Sequence, residues 1–224
     1  MKNIETTETY VHEILSKSGF SNHLCSTIFA SYKEPHRKYH TLEHIECMLR
    51  HANKPEEPLV MAIAIHDICY REYPVAPGIN EHYSMEAVDF LSKFELPLCK
   101  EVKEAILATA FYGQVQAHLS PLAQELCDLD LCNLALDYEE YCYWSELALD
   151  EAKIIYKNLV KEPIGFVYGQ VAFLSKMLQR EKLYYSHTEW EEPARKNMEL
   201  RRTKLEEDIE KYENAIFDVQ NGRN

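Results

Sequence analysis

The sequence predicts an all-α protein, and both its composition and its periodicity indicate this fold class. The chain has 224 residues, of which only 6 are Gly, while the good helix formers Ala, Leu, Glu and Lys are frequent. Apolar residues recur at helical spacing in most segments. We expect one helical domain over residues 1–224, with a core at about 30–200 and about eight helices. A chain of this length can bury a sizeable core.

The first elements follow from local signals. Residues 5–30 are predicted to form one helix, because apolar residues keep helical spacing on both sides of Gly19. The charged segment 31–38 contains a proline and is predicted to be a loop. A helix is expected to begin near Thr41. Residues 59–65 are all apolar, which predicts a central helix that is buried on most of its sides.

Capping signals place the later helices. Ser84 is expected to be the N-cap of one helix, and the next is expected to run from about Pro97 to Tyr112. Ser120 followed by Pro121 is a strong helix start, because serine caps the first turn and proline suits its first position. The remaining predicted helices run from Asp137 to about Val160, from Pro163 to an end within Arg180–Tyr185, and over about 193–218, where the later part is heavily charged.

Charge and cysteine content limit the classes of function. The formal net charge is −13, which disfavours binding to duplex nucleic acid because phosphate contacts need a basic face. The seven cysteines are odd in number and include no CxxC pair, so reduced thiols in the cytoplasm are expected. The N-terminus lacks the features of a signal peptide, and no apolar run approaches a membrane span of about 20 residues. A homodimer is compatible with the sequence.

Two histidine motifs predict a metal site. His40 and His44 are four residues apart, so on a helix they share one face. His66 and Asp67 are adjacent at the end of the apolar helix. A buried imidazole and carboxylate at one point would be costly, but a divalent metal accepts both ligands and neutralises the charge. His51 is expected instead to be an exposed or capping residue near the end of its helix.

Helix phase selects between two neighbouring carboxylates. Asp128 and Asp130 are two residues apart, so on a helix they point about 200° away from each other. Asp130 shares its face with Leu126 and Leu134, toward the core, and is predicted to be the metal ligand. Asp128 is predicted to be a supporting or capping residue. A buried salt bridge or a hydrogen-bonded cap is the structural alternative for a carboxylate on an apolar face.

Other polar residues flank the predicted site. Arg37 and Lys38 bring positive charge beside His40 and are candidates for binding phosphate, although solvated loop charges are the ordinary interpretation. Glu81 and His82 follow the loop after the apolar helix and could reach the site, or could simply form a polar helix entry.

The pattern His44, His66-Asp67 and Asp130 resembles the H…HD…D signature of the HD superfamily of metal-dependent phosphohydrolases. More narrowly, the chain is similar over about residues 30–200 to a subgroup called predicted metal-dependent HD phosphohydrolases. Some members are labelled N-methyl-D-aspartate receptor subunit-like, which nothing in this acidic chain supports. The motifs that carry the narrower resemblance are Glu34-Pro-His-Arg-Lys-Tyr-His-Thr-Leu-Glu-His-Ile, His66-Asp67-Ile-Cys-Tyr, Asn80-Glu81 with Ser84, Ile106-Leu-Ala-Thr, Asp128-Leu-Asp-Leu and Ala194-Arg-Lys-Asn-Met.

The resemblance implies hydrolysis of a nucleotide or another small phosphomonoester at phosphorus. It implies that a divalent ion, namely Mn, Fe, Ni, Co, Zn or Mg, polarises the phosphoryl oxygen and activates water. Asp67 would be both a ligand and a catalytic residue, and His40 or Glu81 would orient water or phosphate. The implied metal ligands are His44, His66, Asp67 and Asp130, and the implied substrate-binding residues are Arg37, Lys38, His82 and His118.

Two other functions remain open at this stage. The subgroup carries a histidine near position 112, where this chain has Tyr112, and His118 is the residue that could replace it. Some HD-fold proteins are di-iron oxygenases that use additional histidine ligands, a role in which His82 and His118 could serve. A non-catalytic helical protein with a structural metal site is the third reading.

Overall fold

A computed structural model of the chain describes residues 4–53, 55–71, 78–92, 100–110 and 118–220. Within these ranges it contains α-helices, two short 3₁₀ helices and no β-strand, which confirms the all-α prediction. The α-helices are α1 Ile4–Lys17, α2 Asn22–Tyr32, α3 Leu42–His51, α4 Glu57–Ile65, α5 Ile79–Ser92, α6 Lys100–Thr109, α7 Pro121–Asp130, α8 Tyr138–Ile155, α9 Ile164–Leu178 and α10 Glu191–Gln220. The 3₁₀ helices are Cys132–Ala135 and Thr188–Trp190.

The prediction of a single helix over residues 5–30 is wrong, and this is one reason why the described helices outnumber the expected eight. Gly19 has a φ of +87°, a left-handed conformation that ends α1. Ser21 then caps α2, because its side chain accepts a hydrogen bond from the backbone N–H of Leu24 at 3.2 Å. The apolar spacing continues across the break because both helices bury a face in the same core.

Helix α4 occupies the centre of the fold, as its uninterrupted apolar sequence predicts. Its residues 60–65 are all buried, and it packs against α1, α3, α5, α6 and α7. His66 is its C-terminal capping residue. The buried helix therefore carries His66 and Asp67 to a point that several surrounding helices can reach.

The buried apolar residues form three clusters. The largest is built by α1 to α7, and the second is built mainly by α8, α9 and α10 together with Leu183 and Tyr184. A small third cluster contains Cys47, Cys132 and Trp144. Trp190 packs against all three, so the N-terminal and C-terminal helices are joined through a shared apolar boundary.

The structure corrects one predicted helix start and confirms another. Helix α5 begins at Ile79, so Ser84 lies inside it rather than at its N-cap. The Ser84 hydroxyl instead accepts a hydrogen bond from the backbone N–H of Cys69 at 3.1 Å, which fastens the segment after Asp67 to α5. Ser120 does cap α7, by accepting from the backbone N–H of Ala123 at 3.2 Å.

The predicted boundaries at Pro97 and Tyr112 lie outside the described residues. No helix in the described ranges combines the length and the apolar character that crossing a membrane requires.

Candidate metal centre

Four side chains from three parts of the fold converge on one buried point. His44 comes from α3, His66 and Asp67 from the end of α4, and Asp130 from the last residue of α7. One ligand-type atom of each lies within 4.8 Å of the corresponding atoms of the others, and all four residues are buried. The sequence predicted these four as the metal ligands, and the fold brings them together.

The two ring nitrogens of His66 have different surroundings, and only one of them faces the cluster. Its Nδ1 lies 2.9 Å from the carbonyl oxygen of Ile63 and donates a hydrogen bond to it, so Nε2 faces the cluster. That Nε2 has no hydrogen-bond partner within the described part of the chain, although Asp67 Oδ2 lies 2.9 Å away and Asp130 Oδ1 lies 3.5 Å away. A proton or a metal ion must stand between this nitrogen and the two carboxylates.

The histidines and carboxylates of the cluster shift one another's pKa values. Burial disfavours the charged form of His66, but Asp67 and Asp130 outweigh burial and raise the pKa of His66 well above its usual range. Burial also disfavours the charged carboxylates, yet His66 and His40 lower the pKa of Asp67, and His44 and His66 lower that of Asp130. The two carboxylates are therefore ionised and require positive charge beside them.

The cluster fits a single divalent ion. His44 Nε2 lies 3.0 Å from Asp130 Oδ1, and bonds of about 2.0–2.2 Å from an ion to nitrogen and oxygen ligands place neighbouring ligand atoms about 3 Å apart at octahedral angles and about 3.4 Å apart at tetrahedral angles. Two neutral imidazoles and two carboxylates are a common ligand set for first-row divalent metals. The described structure thus contains a buried His/Asp cluster that could hold a metal ion.

His40 lies at the edge of the cluster and is held by Glu151 of α8. The His40 Nδ1 forms a short hydrogen bond with Glu151 Oε1, while His40 Nε2 lies 3.8 Å from Asp67 Oδ2. Burial opposes protonation of His40, but Glu151 and Asp67 prevail and raise its pKa. The His40 ring also stacks on Tyr70, with ring centroids 4.1 Å apart. His40 therefore presents one nitrogen, in a fixed orientation, toward the cluster.

Glu151 also organises the loop that carries His40. Its Oε2 accepts hydrogen bonds from the backbone N–H groups of Lys38, Tyr39 and His40 at 2.8, 3.0 and 3.1 Å. Consecutive backbone N–H groups that converge in this way form an anion-binding nest, and a carboxylate from the same chain fills it. Burial favours protonation of Glu151, but His40 and the backbone N–H groups lower its pKa to about 2.

Arg37 is a structural residue in this fold, which does not support the expected role in binding phosphate. Its guanidinium is buried and donates to the carbonyl oxygens of His40, Asp67 and Ile68. Its remaining N–H groups bond Glu34. Because all five donors are used, Arg37 fastens the loop before α3 to the end of α4 and has none left for a substrate.

The other predicted site residues differ in how far they are exposed to solvent. The side chain of Lys38 is exposed. Glu81 is partly buried, and burial raises its pKa, with Asp67 and Asp130 raising it further. His82 is exposed and lies 3.4 Å from Glu86, and His118 is exposed in a turn. The structure does not group either of these two histidines with the four clustered residues.

Asp128 supports a loop rather than the cluster. Its two oxygens accept hydrogen bonds from the backbone N–H groups of Tyr185, Ser186 and His187 at 2.6, 2.6 and 3.0 Å. Asp130, two residues later, faces His44 and His66. The helix therefore separates the two carboxylates as their spacing requires, and each has its own set of partners.

Sequence reasoning missed Glu151 and Asn133. Glu151 is 111 residues from His40 in the chain, and Asn133 Nδ2 lies 3.4 Å from His44 Nδ1. Glu151 could have been indicated by one signal, namely a glutamate on the inner face of a predicted helix, because a buried carboxylate needs partners.

Comparison of the chain with protein-family models, with curated proteins and with solved structures found no match.

Proposed function

We propose that this chain is a metal-dependent phosphohydrolase that acts on a nucleotide or another small phosphomonoester. The observation that carries the proposal is the pairing of the buried His44, His66, Asp67 and Asp130 cluster with His40, a histidine held beside it by Glu151. A cation site next to an oriented acid–base group has the two components that phosphoester hydrolysis needs.

Each residue would contribute a separate part of the chemistry. The four clustered residues would hold one divalent ion, which when bound would polarise a phosphoryl oxygen and lower the pKa of water. His40 Nε2 would give a proton to the leaving oxygen, since its other nitrogen is committed to Glu151. Glu81, whose pKa burial raises, would exchange a proton with the attacking water. The ammonium group of Lys38, on the exposed side of the loop, would form an ion pair with the phosphate.

The oxygenase alternative has less support. It requires histidine ligands in addition to the four clustered residues, and the two candidates, His82 and His118, are exposed and outside the cluster. The non-catalytic alternative does not account for His40, because a structural ion would not need a histidine whose orientation a buried glutamate maintains. Oxygen consumption by the iron-loaded protein remains the measurement that would favour the oxygenase.

The test is a phosphate-release screen with nucleotides and other phosphomonoesters, in which the purified chain is loaded separately with Mn, Fe, Co, Ni, Zn or Mg. We expect turnover of at least one class of compound, with loss of activity and of the metal bound at the His/Asp cluster in Asp67→Ala and His66→Ala. His23→Ala, an exposed histidine on α2, is the matched control and should keep both. The proposal would be overturned if no compound in the panel released phosphate, or if Asp67→Ala were as active as the wild type.

A further inference from the structure

A second group of metal-ligand residues lies beside the first. Cys47 and His51 are one turn apart on α3, and Cys132 is the first residue of the 3₁₀ helix after α7. The sulfur atoms of the two cysteines are 3.7 Å apart, and Cys47 Sγ lies 3.7 Å from His51 Nδ1. All three ligand atoms lie within 4.8 Å of one another.

These distances fit a tetrahedral ion. With zinc–sulfur bonds of about 2.3 Å and zinc–nitrogen bonds of about 2.0–2.1 Å, two thiolates lie about 3.8 Å apart and a thiolate and an imidazole nitrogen about 3.5 Å apart. The observed separations of 3.7 Å match both values closely. Both thiols also have a hydrogen-bond acceptor beside them: Cys47 Sγ donates to Asn133 Oδ1 at 2.9 Å, and Cys132 Sγ donates to the same oxygen at 3.8 Å.

We propose that Cys47, His51 and Cys132 form a second metal site, for zinc, that is separate from the His/Asp cluster. Thiolate and imidazole ligands select zinc over the harder ions that carboxylates prefer. Two cysteines that are 85 residues apart in the chain meet here in a buried position. His51 is only partly buried, so the ion would enter from the side of the imidazole.

Protons must leave when this site is loaded. His51 Nδ1 lies 2.8 Å from the carbonyl oxygen of Cys47, so this nitrogen carries a proton, and both the proton and this hydrogen bond must be lost before Nδ1 binds an ion. The two cysteines must also bind as thiolates. Zinc affinity should therefore rise with pH, and loading should proceed only under reducing conditions.

Asn133 links the two metal sites without making them one. Its Oδ1 faces Cys47, while its Nδ2 lies 3.4 Å from His44 Nδ1 of the first cluster. The first cluster contains no sulfur ligand. A probe that is sensitive to thiolate coordination therefore reports on the second site alone, whatever the first site binds and whether or not the chain is a phosphohydrolase.

The test uses Co²⁺ as a spectroscopic substitute for zinc in the reduced, full-length chain. We expect a thiolate-to-cobalt charge-transfer absorption in the near ultraviolet and about one equivalent of zinc retained at this site. The absorption should persist in Asp67→Ala, which disables only the first cluster. It should disappear in Cys132→Ser but remain in Cys127→Ser, a buried cysteine of α7 whose pKa burial raises and which has no ligand-type partner in this group.

A second variant protects the test against misfolding. His51→Gln keeps both thiols and replaces a partly buried side chain, so circular dichroism should be unchanged while zinc affinity falls by at least about 10-fold. The proposal is overturned if the reduced, folded wild-type chain shows no thiolate absorption in excess cobalt. It is equally overturned if the absorption survives in both Cys47→Ser and Cys132→Ser.

Discussion

Glu151 is a buried carboxylate on α8 whose hydrogen bonds hold the segment that carries His40. It accepts three backbone hydrogen bonds from residues 38–40 and one from the ring of His40. A buried carboxylate with this many donors stays ionised, so its charge acts on His40 continuously. Because these hydrogen bonds go to the loop that carries His40 and not to the four clustered residues, we assign Glu151 as a residue that positions His40.

We expect Glu151→Gln to lower kcat by about 10–100-fold while the metal content of the His/Asp cluster stays near that of the wild type. Glu151 is one of the charges that raise the pKa of His40, so its neutralisation lowers that pKa. If His40 is the acid, the alkaline limb of the pH–rate profile moves to lower pH. Glu139→Gln, an exposed glutamate on the same helix, should change neither quantity. An unshifted profile in Glu151→Gln would remove this role.

The two carboxylates at the end of α7 allow a direct comparison of metal binding with structural support. Asp130→Asn should weaken metal binding by at least about 10–100-fold. Asp128→Asn should leave metal affinity near that of the wild type but destabilise the fold by about 1–3 kcal/mol, because three backbone N–H groups lose a charged acceptor. Isothermal titration with Mn²⁺ and urea unfolding measure the two effects. The reverse pattern would show that Asp128 is the ligand.

At the scale of single elements, the break between α1 and α2 depends on one backbone conformation. Gly19 has a φ of +87°, and no atom lies within 4 Å of the position that a Cβ would occupy. A substitution there meets no clash, so any loss of stability comes from the left-handed backbone itself. The adjacent Ser21 cap then fixes where α2 begins.

Gly19→Ala should therefore destabilise the protein by about 1–2 kcal/mol. Gly169 is the matched control, since it lies inside α9 and is also free of neighbours within 4 Å. Gly169→Ala should stabilise the protein by about 0.5–1 kcal/mol, because alanine loses less backbone entropy in a helix. Urea unfolding of both variants gives the two signs. Equal effects of the two substitutions would contradict the backbone explanation.

Helical periodicity predicted the elements and the residues that point inward, and it failed where loops and long-range hydrogen bonds decide. An uninterrupted apolar run predicted the buried α4, and helix phase predicted the inward face of Asp130, because both signals lie within one helix. Helical periodicity did not predict that Arg37 donates hydrogen bonds to backbone carbonyl oxygens. It also did not predict that the Ser84 hydroxyl accepts a hydrogen bond from the backbone N–H of Cys69. Those contacts depend on the path of distant loops, which no local pattern contains. Glu151 was missed for the same reason.

At the scale of the whole molecule, the chain carries a net charge of −13 and also buries several carboxylates in its interior. Asp128 and Glu151 are each satisfied by three backbone N–H groups. Among the described residues, Asp67 and Asp130 have no such nest, and their partners are histidines. A bound cation would therefore add a missing partner to Asp67 and Asp130, whereas Asp128 and Glu151 already have their donors.

A bound ion should consequently stabilise the entire fold. For a ligand that binds only the folded state, about 2.7 kcal/mol is gained when the free ligand reaches a hundredfold excess over Kd. Mn²⁺ is the suitable probe, because it prefers carboxylate and imidazole to thiolate and so avoids Cys47 and Cys132. We expect Mn²⁺ to raise Tm in the wild type and in Cys132→Ser, but not in Asp67→Ala.

The gain should also depend on pH, in a direction that the cluster determines. Asp67 and Asp130 raise the pKa of His66 in the folded chain, so the proton on His66 stabilises the fold fully below its unfolded pKa of about 6.5. This contribution is lost as pH rises through the folded pKa. Mn²⁺ must displace that proton, so its effect on Tm should grow with pH. Thermal melts with and without Mn²⁺, at a series of pH values from below to above the unfolded pKa of His66, measure how the increase in Tm changes with pH. An equal Tm increase in Asp67→Ala, or one that shrinks as pH rises, would show that the ion binds elsewhere.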